Sequence, residues 1–197
     1  MPTQYTLADK SDVDLMHEVI SRHERFSDLR KFGVVIEVLM AWSDNDQPIK
    51  HHGAVAIASV KVVGGEERAN GGPDVRIKID AKRYLALGKA SREAVFAHEL
   101  YHIEVQHSGG DGVKRDPYGR PVIKTIPDDW TINGFQEVAE WYGEASIERR
   151  SYQAVGGLLE QRRLFPSEGS TTEVEPDDDQ AEGDDRDVDR AESGGRP

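Results

Sequence analysis

The sequence predicts an α+β domain. A small twisted β-sheet packs against one helix carrying His98-Glu99-Leu100-Tyr101-His102 and against one or two further helices. Three observations predict this. Val13, Met16, Ile20 and Phe26 recur at helical spacing near the start of the chain. Three short apolar or alternating runs follow over 33–42, 54–63 and 75–80, each bounded by glycines or polar turns. Helical spacing then returns in Phe96, Leu100 and Ile103, a stripe that would dock on a core. There is no internal repeat.

The elements follow in order. Residues 11–30 predict a first helix with Ser11 as its cap. Gly33 to Trp42 is almost wholly apolar and predicts a central strand. Ser43 to Lys50 is a polar turn containing Asn45-Asp46. Ala54 to Val63 predicts a second strand. Its small face (Ala54, Ala56, Ala58) would let a helix approach closely, and Gly64-Gly65 ends it. Val75 to Asp80 alternates and predicts a half-exposed strand. Residues 81–87 suit a short helical turn. Gly88 then interrupts the chain, Ser91 caps the motif helix over about 91–107, and Gly109-Gly110 ends it. Asp116-Pro117-Tyr118-Gly119 is a turn between two short strands, giving a hairpin over 113–126. Thr131 caps a second long helix running to about Arg163. It carries Phe135, Val138, Ala139, Tyr142 and Ile147 inward and is weakened at Gly143 and at Gly156-Gly157.

Composition divides the chain into an N-terminal helical segment (1–31), a folded domain (32–165) and an acidic tail (166–197). The tail holds twelve acids against three arginines. Its net charge of −9 is most of the chain's −12, and the remainder carries only −3. With almost no large apolar side chains it has no core to bury, so disorder is expected there. Such a tail would solubilise the chain or dock a basic partner. The body has no basic excess, which argues against nucleic acid as its partner. No run of about 20 apolar residues is present to span a bilayer. Residues 1–20 lack the pattern of a signal peptide, so a cytoplasmic location and no membrane association are expected. The chain has no cysteine, so a metal would have to be held by histidine and carboxylate.

The pattern His98-Glu99-Leu100-Tyr101-His102 is an HExxH motif. On a helix, positions i and i+4 share a face one turn apart, so two imidazoles can bind one Zn²⁺ from the same side. Glu99, one step round, can reach a metal-bound water as general base. A catalytic zinc needs a third protein ligand. His107 would lie well round the same helix. Asp128 and Asp129 precede the second helix, where a hairpin could present a carboxylate, although Asp is also a favoured cap there. Glu137 and Glu140 lie inside that helix. Asp129 is the provisional third ligand. His17 and His23, six apart, lack ligand spacing, and the pair His51-His52, which opens a strand, reads as solvated. Tyr118 at the hairpin tip reads as a turn aromatic that could also help bind an oxyanion.

These residues resemble the putative phage metallopeptidases, small zincin-like domains encoded by phages and prophages. The likeness covers roughly residues 32–143. It takes in the strand ending at Trp42, the Ala-rich strand, Val75 to Ile79, Ala94 to His102, and Phe135-Gln136-Glu137-Val138-Ala139-Glu140-Trp141-Tyr142-Gly143. That family often shows His-Asp shortly before the Phe, where this chain has Asp128-Asp129-Trp130-Thr131. The resemblance implies a zinc-dependent hydrolase of peptide or protein substrates, in the host cytoplasm if phage encoded. His98 and His102 would be ligands and Glu99 the base. An extended substrate is expected to pair with the strand at 75–80 as a sheet edge. The alternative is a non-catalytic, zinc-stabilised interaction protein whose acidic tail binds a basic partner. A closed four-ligand site would favour that alternative.

Overall fold

A computed structural model describes residues 2–44, 49–51, 54–109, 112–128 and 134–149. The Asn45-Asp46 turn, His52, Asp129, the cap at Thr131 and everything beyond residue 149, including the acidic tail, lie outside the described residues.

The chain opens with a strand that periodicity did not reveal, β1 (Gln4–Leu7), and continues into α1 (Lys10–Arg22). A 3-10 turn (Glu24–Phe26) and α2 (Ser27–Lys31) complete the segment expected as one helix. The break falls at His23, whose backbone is extended. Gly33, with φ 64°, turns the chain out of α2. Then come β2 (Ile36–Trp42), β3 (Lys50–His51), β4 (Ala54–Val55) and β5 (Ala58–Val62). The strand expected at 54–63 is thus split. Ala56 N–H donates to the Ile49 carbonyl, and the Ile57 carbonyl accepts from Asp80 N–H. Next are α3 (Gly65–Ala69), β6 (Val75–Asp80), α4 (Ala81–Leu85) and α5 (Lys89–Tyr101). β7 (Ile103–Val105), β8 (Ile123–Thr125) and α6 (Gln136–Tyr142) follow.

The main sheet has the order β1-β2-β6-β5. β1 and β2 run antiparallel, β2 and β6 parallel, and β6 and β5 antiparallel. The fold is therefore α+β with a small mixed sheet and several helices, as the pattern predicts. One sheet face (Val38, Met40, Val75, Ile77 and Ile79) meets α1 (Leu15, Met16, Val19 and Ile20) and α5 (Val95, Phe96, Ala97 and Leu100) in a single core. Each large side chain buried there contributes about 1.5–3 kcal/mol. Together they seat α5 as a fixed platform for its polar edge.

Three expectations need correction. β6 is not an edge strand. Its alternation of Val75, Ile77 and Ile79 with Arg76 and Lys78 reports a sheet covered on one face, and a central strand of such a sheet alternates too. Both its edges are paired, and among the described residues the edge strands of this sheet are β1 and β5. The motif helix ends at Tyr101, not near 107, and starts from Gly88 as N-cap, not Ser91. Ile103 and Val105 continue a period-two pattern and are buried in the hairpin with β8, so Ile103 belongs to a strand rather than to the helical stripe. The second long helix is short: it starts at Gln136 with Phe135 as its N-cap, not at Thr131, and it stops at Gly143, whose φ of 49° and ψ of −128° end the helical path. A 3-10 turn (Gly143–Ala145) and a helical turn at 147–149 follow.

The hairpin after β7 turns at Asp116–Gly119, as expected, with Gly119 at φ 79°. Its far end is fastened to the sheet by buried charges. Arg68 Nη2 donates to Asp74 Oδ1 at 2.7 Å and to the Pro121 carbonyl at 2.8 Å. Arg120 Nε lies 2.9 Å from the same Asp74 oxygen. Val35 N–H donates to Asp74 Oδ2 at 2.8 Å. Both oxygens of the buried Asp74 carboxylate thus have donors, which such burial requires.

Candidate metal centre

The last turn of α5 presents His98, and His102 is its C-cap. The two imidazoles lie 5.0 Å apart, centre to centre, nearly perpendicular at 83°. Their Nδ1 atoms point outward to fixed acceptors. His98 Nδ1 is 2.7 Å from Glu148 Oε1, and His102 Nδ1 is 2.7 Å from the Ile126 carbonyl. A carbonyl can only accept, so Nδ1 of His102 carries the proton and Nε2 is the acceptor nitrogen. The Ile126 main chain returns the bond: its N–H donates to the His102 carbonyl at 2.7 Å. β8 and the residue after it therefore orient the second histidine. The sheet pairing that shortened the helix does this work.

Both Nε2 atoms turn toward Asp128. Asp128 Oδ1 lies 3.6 Å from His98 Nε2 and 3.4 Å from His102 Nε2. His98, His102 and Asp128 can each offer one ligand atom, all within 4.8 Å of one another. Three properties fit this set to a divalent cation. Charge-assisted N–H···O bonds run to about 2.7–2.9 Å, so these contacts are too long for hydrogen bonds. They do match the edge of a tetrahedron with bonds of about 2.0–2.2 Å to zinc. Asp128 Oδ1 is also buried with no hydrogen-bond partner among the described residues. A desolvated carboxylate oxygen facing two imidazole nitrogens is costly unless a cation sits among them. All-nitrogen and oxygen donors are the set a cysteine-free chain can offer.

Glu99 is buried, 4% exposed. Burial raises its carboxyl to about 7; His98 opposes the shift, while Asp128 and Glu148 add to it. His98 is raised in spite of burial, through its bond to Glu148 and the charges of Glu99, Glu148 and Asp128. Phe135 closes one side, its ring centre 5.4 Å from that of His98 and 4.9 Å from that of His102. α6, which follows Phe135, is pinned to the N-terminal segment by Trp141 stacked on His23 at 4.0 Å and by Tyr142 Oη at 3.1 Å from His23 Nε2.

Of the residues singled out in the sequence, His98, Glu99, His102 and Asp128 come together. Asp129 lies outside the described residues. Glu137 and Glu140 are exposed and do not join the cluster; with Tyr101, Phe135 and Gln136 they line a neighbouring cleft of about 450 Å³. His107 is not on the helix but beside Asp28, 2.7 Å away, and His17 is exposed. Tyr118 is exposed at the hairpin tip. Glu148 is the residue that sequence reasoning missed. No periodicity or local motif marks it, and it stands fifty positions from the histidine it touches.

No helix among the described residues is long and apolar enough to cross a membrane. No curated protein and no solved structure matches the chain. One protein family does, described as putative phage metallopeptidase, over residues 6–160. That match takes in the end of β1 from Thr6, all of α5, Asp128 and Glu148. With well over half of the sequence aligned, the chain belongs to the putative phage metallopeptidase family.

Proposed function

We propose that the protein is a zincin-like, zinc-dependent peptidase whose metal is held by His98, His102 and Asp128, with Glu99 as general base. The observation that carries this reading is the convergence of the three donor atoms beside a buried glutamate one residue past the first histidine. Asp129, the provisional ligand from sequence, lies outside the described residues; the reading takes Asp128 because its carboxylate oxygen converges on the two histidines. Bound zinc would supply a Lewis acid for the scissile carbonyl and a water acidified to about pKa 7.

The chain's own residues do the rest. Glu99 takes the proton of the attacking water and returns it to the departing amine. A carboxyl poised near neutrality can act in both directions. Phe135 keeps bulk water from one side of the imidazoles, which strengthens every charge interaction within. Ile126 and Glu148 hold the imidazoles facing the site. Peptide or protein substrates follow from the proposed chemistry.

The test is elemental analysis of protein purified without added zinc, together with cleavage of an unfolded protein such as casein. One zinc per chain is expected, lost in His98→Ala and in His102→Ala. No bound metal in the parent, or unchanged metal in His98→Ala, would falsify the reading.

A further inference from the structure

We propose that Glu148 is the positioning residue of this centre: its carboxylate accepts the Nδ1–H of His98 and so holds Nε2 of that ring toward His102 and Asp128. The inference rests on the zinc-site reading above and goes beyond it, because nothing in the HExxH pattern calls for a residue at 148.

Four observations place Glu148 there by construction. The residue is 2% exposed, unusual for a glutamate, and Oε1 lies 2.7 Å from His98 Nδ1. Its second oxygen, Oε2, is buried and has no hydrogen-bond partner among the described residues, so the bond to His98 is the one this carboxylate makes there. The stem of the side chain passes so close to the backbone at Gly134 that a Cβ there would lie 2.2 Å from Glu148 Cγ. Residue 134 is therefore glycine for lack of room. The turn that delivers Glu148 is locked by Ser146, fully buried, whose Oγ accepts from Arg149 N–H at 3.1 Å.

A neutral imidazole carries its proton on one nitrogen only, and the nitrogen that carries it cannot bind a metal. In free histidine both tautomers are populated. A carboxylate fixed on Nδ1 selects the Nδ1–H form, orients the ring and makes Nε2 more basic. His102 is served by the weaker acceptor of a backbone carbonyl, so the two ligands are not equivalent. His98 should depend on its side-chain partner, whereas His102 depends on the hairpin.

The experiment uses the full chain and two readouts. Zinc affinity is measured by competition with a chelator. The ring-nitrogen shifts of His98 are measured by ¹⁵N NMR in metal-free protein. Glu148→Gln keeps an acceptor oxygen and should retain the Nδ1–H tautomer, losing only a few-fold in affinity. Glu148→Leu should lose about 10–100-fold in affinity and show His98 as a tautomer mixture. Gly134→Ala, which displaces the stem without removing the carboxylate, should shift the tautomer in the same direction and covers the case in which the Leu variant does not fold. Parent-like tautomer and affinity in Glu148→Leu or, failing that, in Gly134→Ala would overturn the proposal. So would a Gln variant as weak as the Leu variant, since Glu148 would then be a ligand. A parent that binds no zinc sinks the functional reading, while the metal-free tautomer still decides this one.

Discussion

Glu99 and Asp128 are both carboxylates within the same small volume, yet the proposed chemistry gives them opposite tasks. Glu99 must hold and release a proton; Asp128 must never hold one while metal is bound. Glu99→Gln should therefore keep zinc and fold while lowering kcat by at least about 10²-fold, measured as turnover beside metal content. Parent-like turnover in that variant would remove Glu99 from the mechanism. Asp128→Ala should weaken zinc binding by orders of magnitude and leave it easily stripped by a chelator. Asp129→Ala should cost no more than about 1 kcal/mol of stability, with metal affinity unchanged. The reverse outcome would restore Asp129 as ligand. His98, Glu99 and His102 were legible because helical geometry converts a four-residue spacing into a shared face. The Asp pair was legible only as a zone, since two neighbouring carboxylates at a helix entrance carry the same signal. Glu148 was not legible at all. It is one of 37 acidic residues, and its distinction lies in the wedge against Gly134, which exists only after the chain has folded.

The elements show what periodicity can and cannot report. Alternation in β6 reports its buried face but says nothing of its neighbours, so it does not separate a central strand from an edge. Phe96, Leu100 and Ile103 fit a helical stripe, yet the chain changes structure between the second and third of them. The reason is pairing with β8, twenty residues downstream, which a local window does not contain. The hairpin that results depends on the Arg68–Asp74–Arg120 cluster. Asp74→Ala should leave Arg68, 7% exposed, without its main counter-charge and cost about 3–5 kcal/mol in urea unfolding. Because the same hairpin carries Ile126, zinc affinity should fall in parallel, although Asp74 touches neither histidine. A variant with parent stability would mean that the cluster is solvated rather than structural.

For the whole molecule, the proposed division is a folded body ending near residue 165 and an acidic appendage. Deleting residues 168–197 should leave Tm and metal content nearly unchanged, because the segment offers almost nothing apolar to bury. A drop of many degrees would make the tail part of the fold. Metal should act on the body as any ligand of the native state does. Treatment with a chelator should lower Tm in the parent and not in His98→Ala, with differential scanning calorimetry as the check.

The reach of Glu148 back to His98 also sets an order of events during synthesis. A chain is made from its N-terminus and its parts fold as they emerge. The HExxH helix is complete at residue 101, but the histidine that opens the motif is not held in its binding form until residue 148 has been made and folded back upon it. A ribosome-bound fragment that already displays both histidines would thus be a poor metal binder. Hydrolytic capacity would be withheld until almost the entire body has been released, so an unfinished copy would pose little danger to the proteins around it.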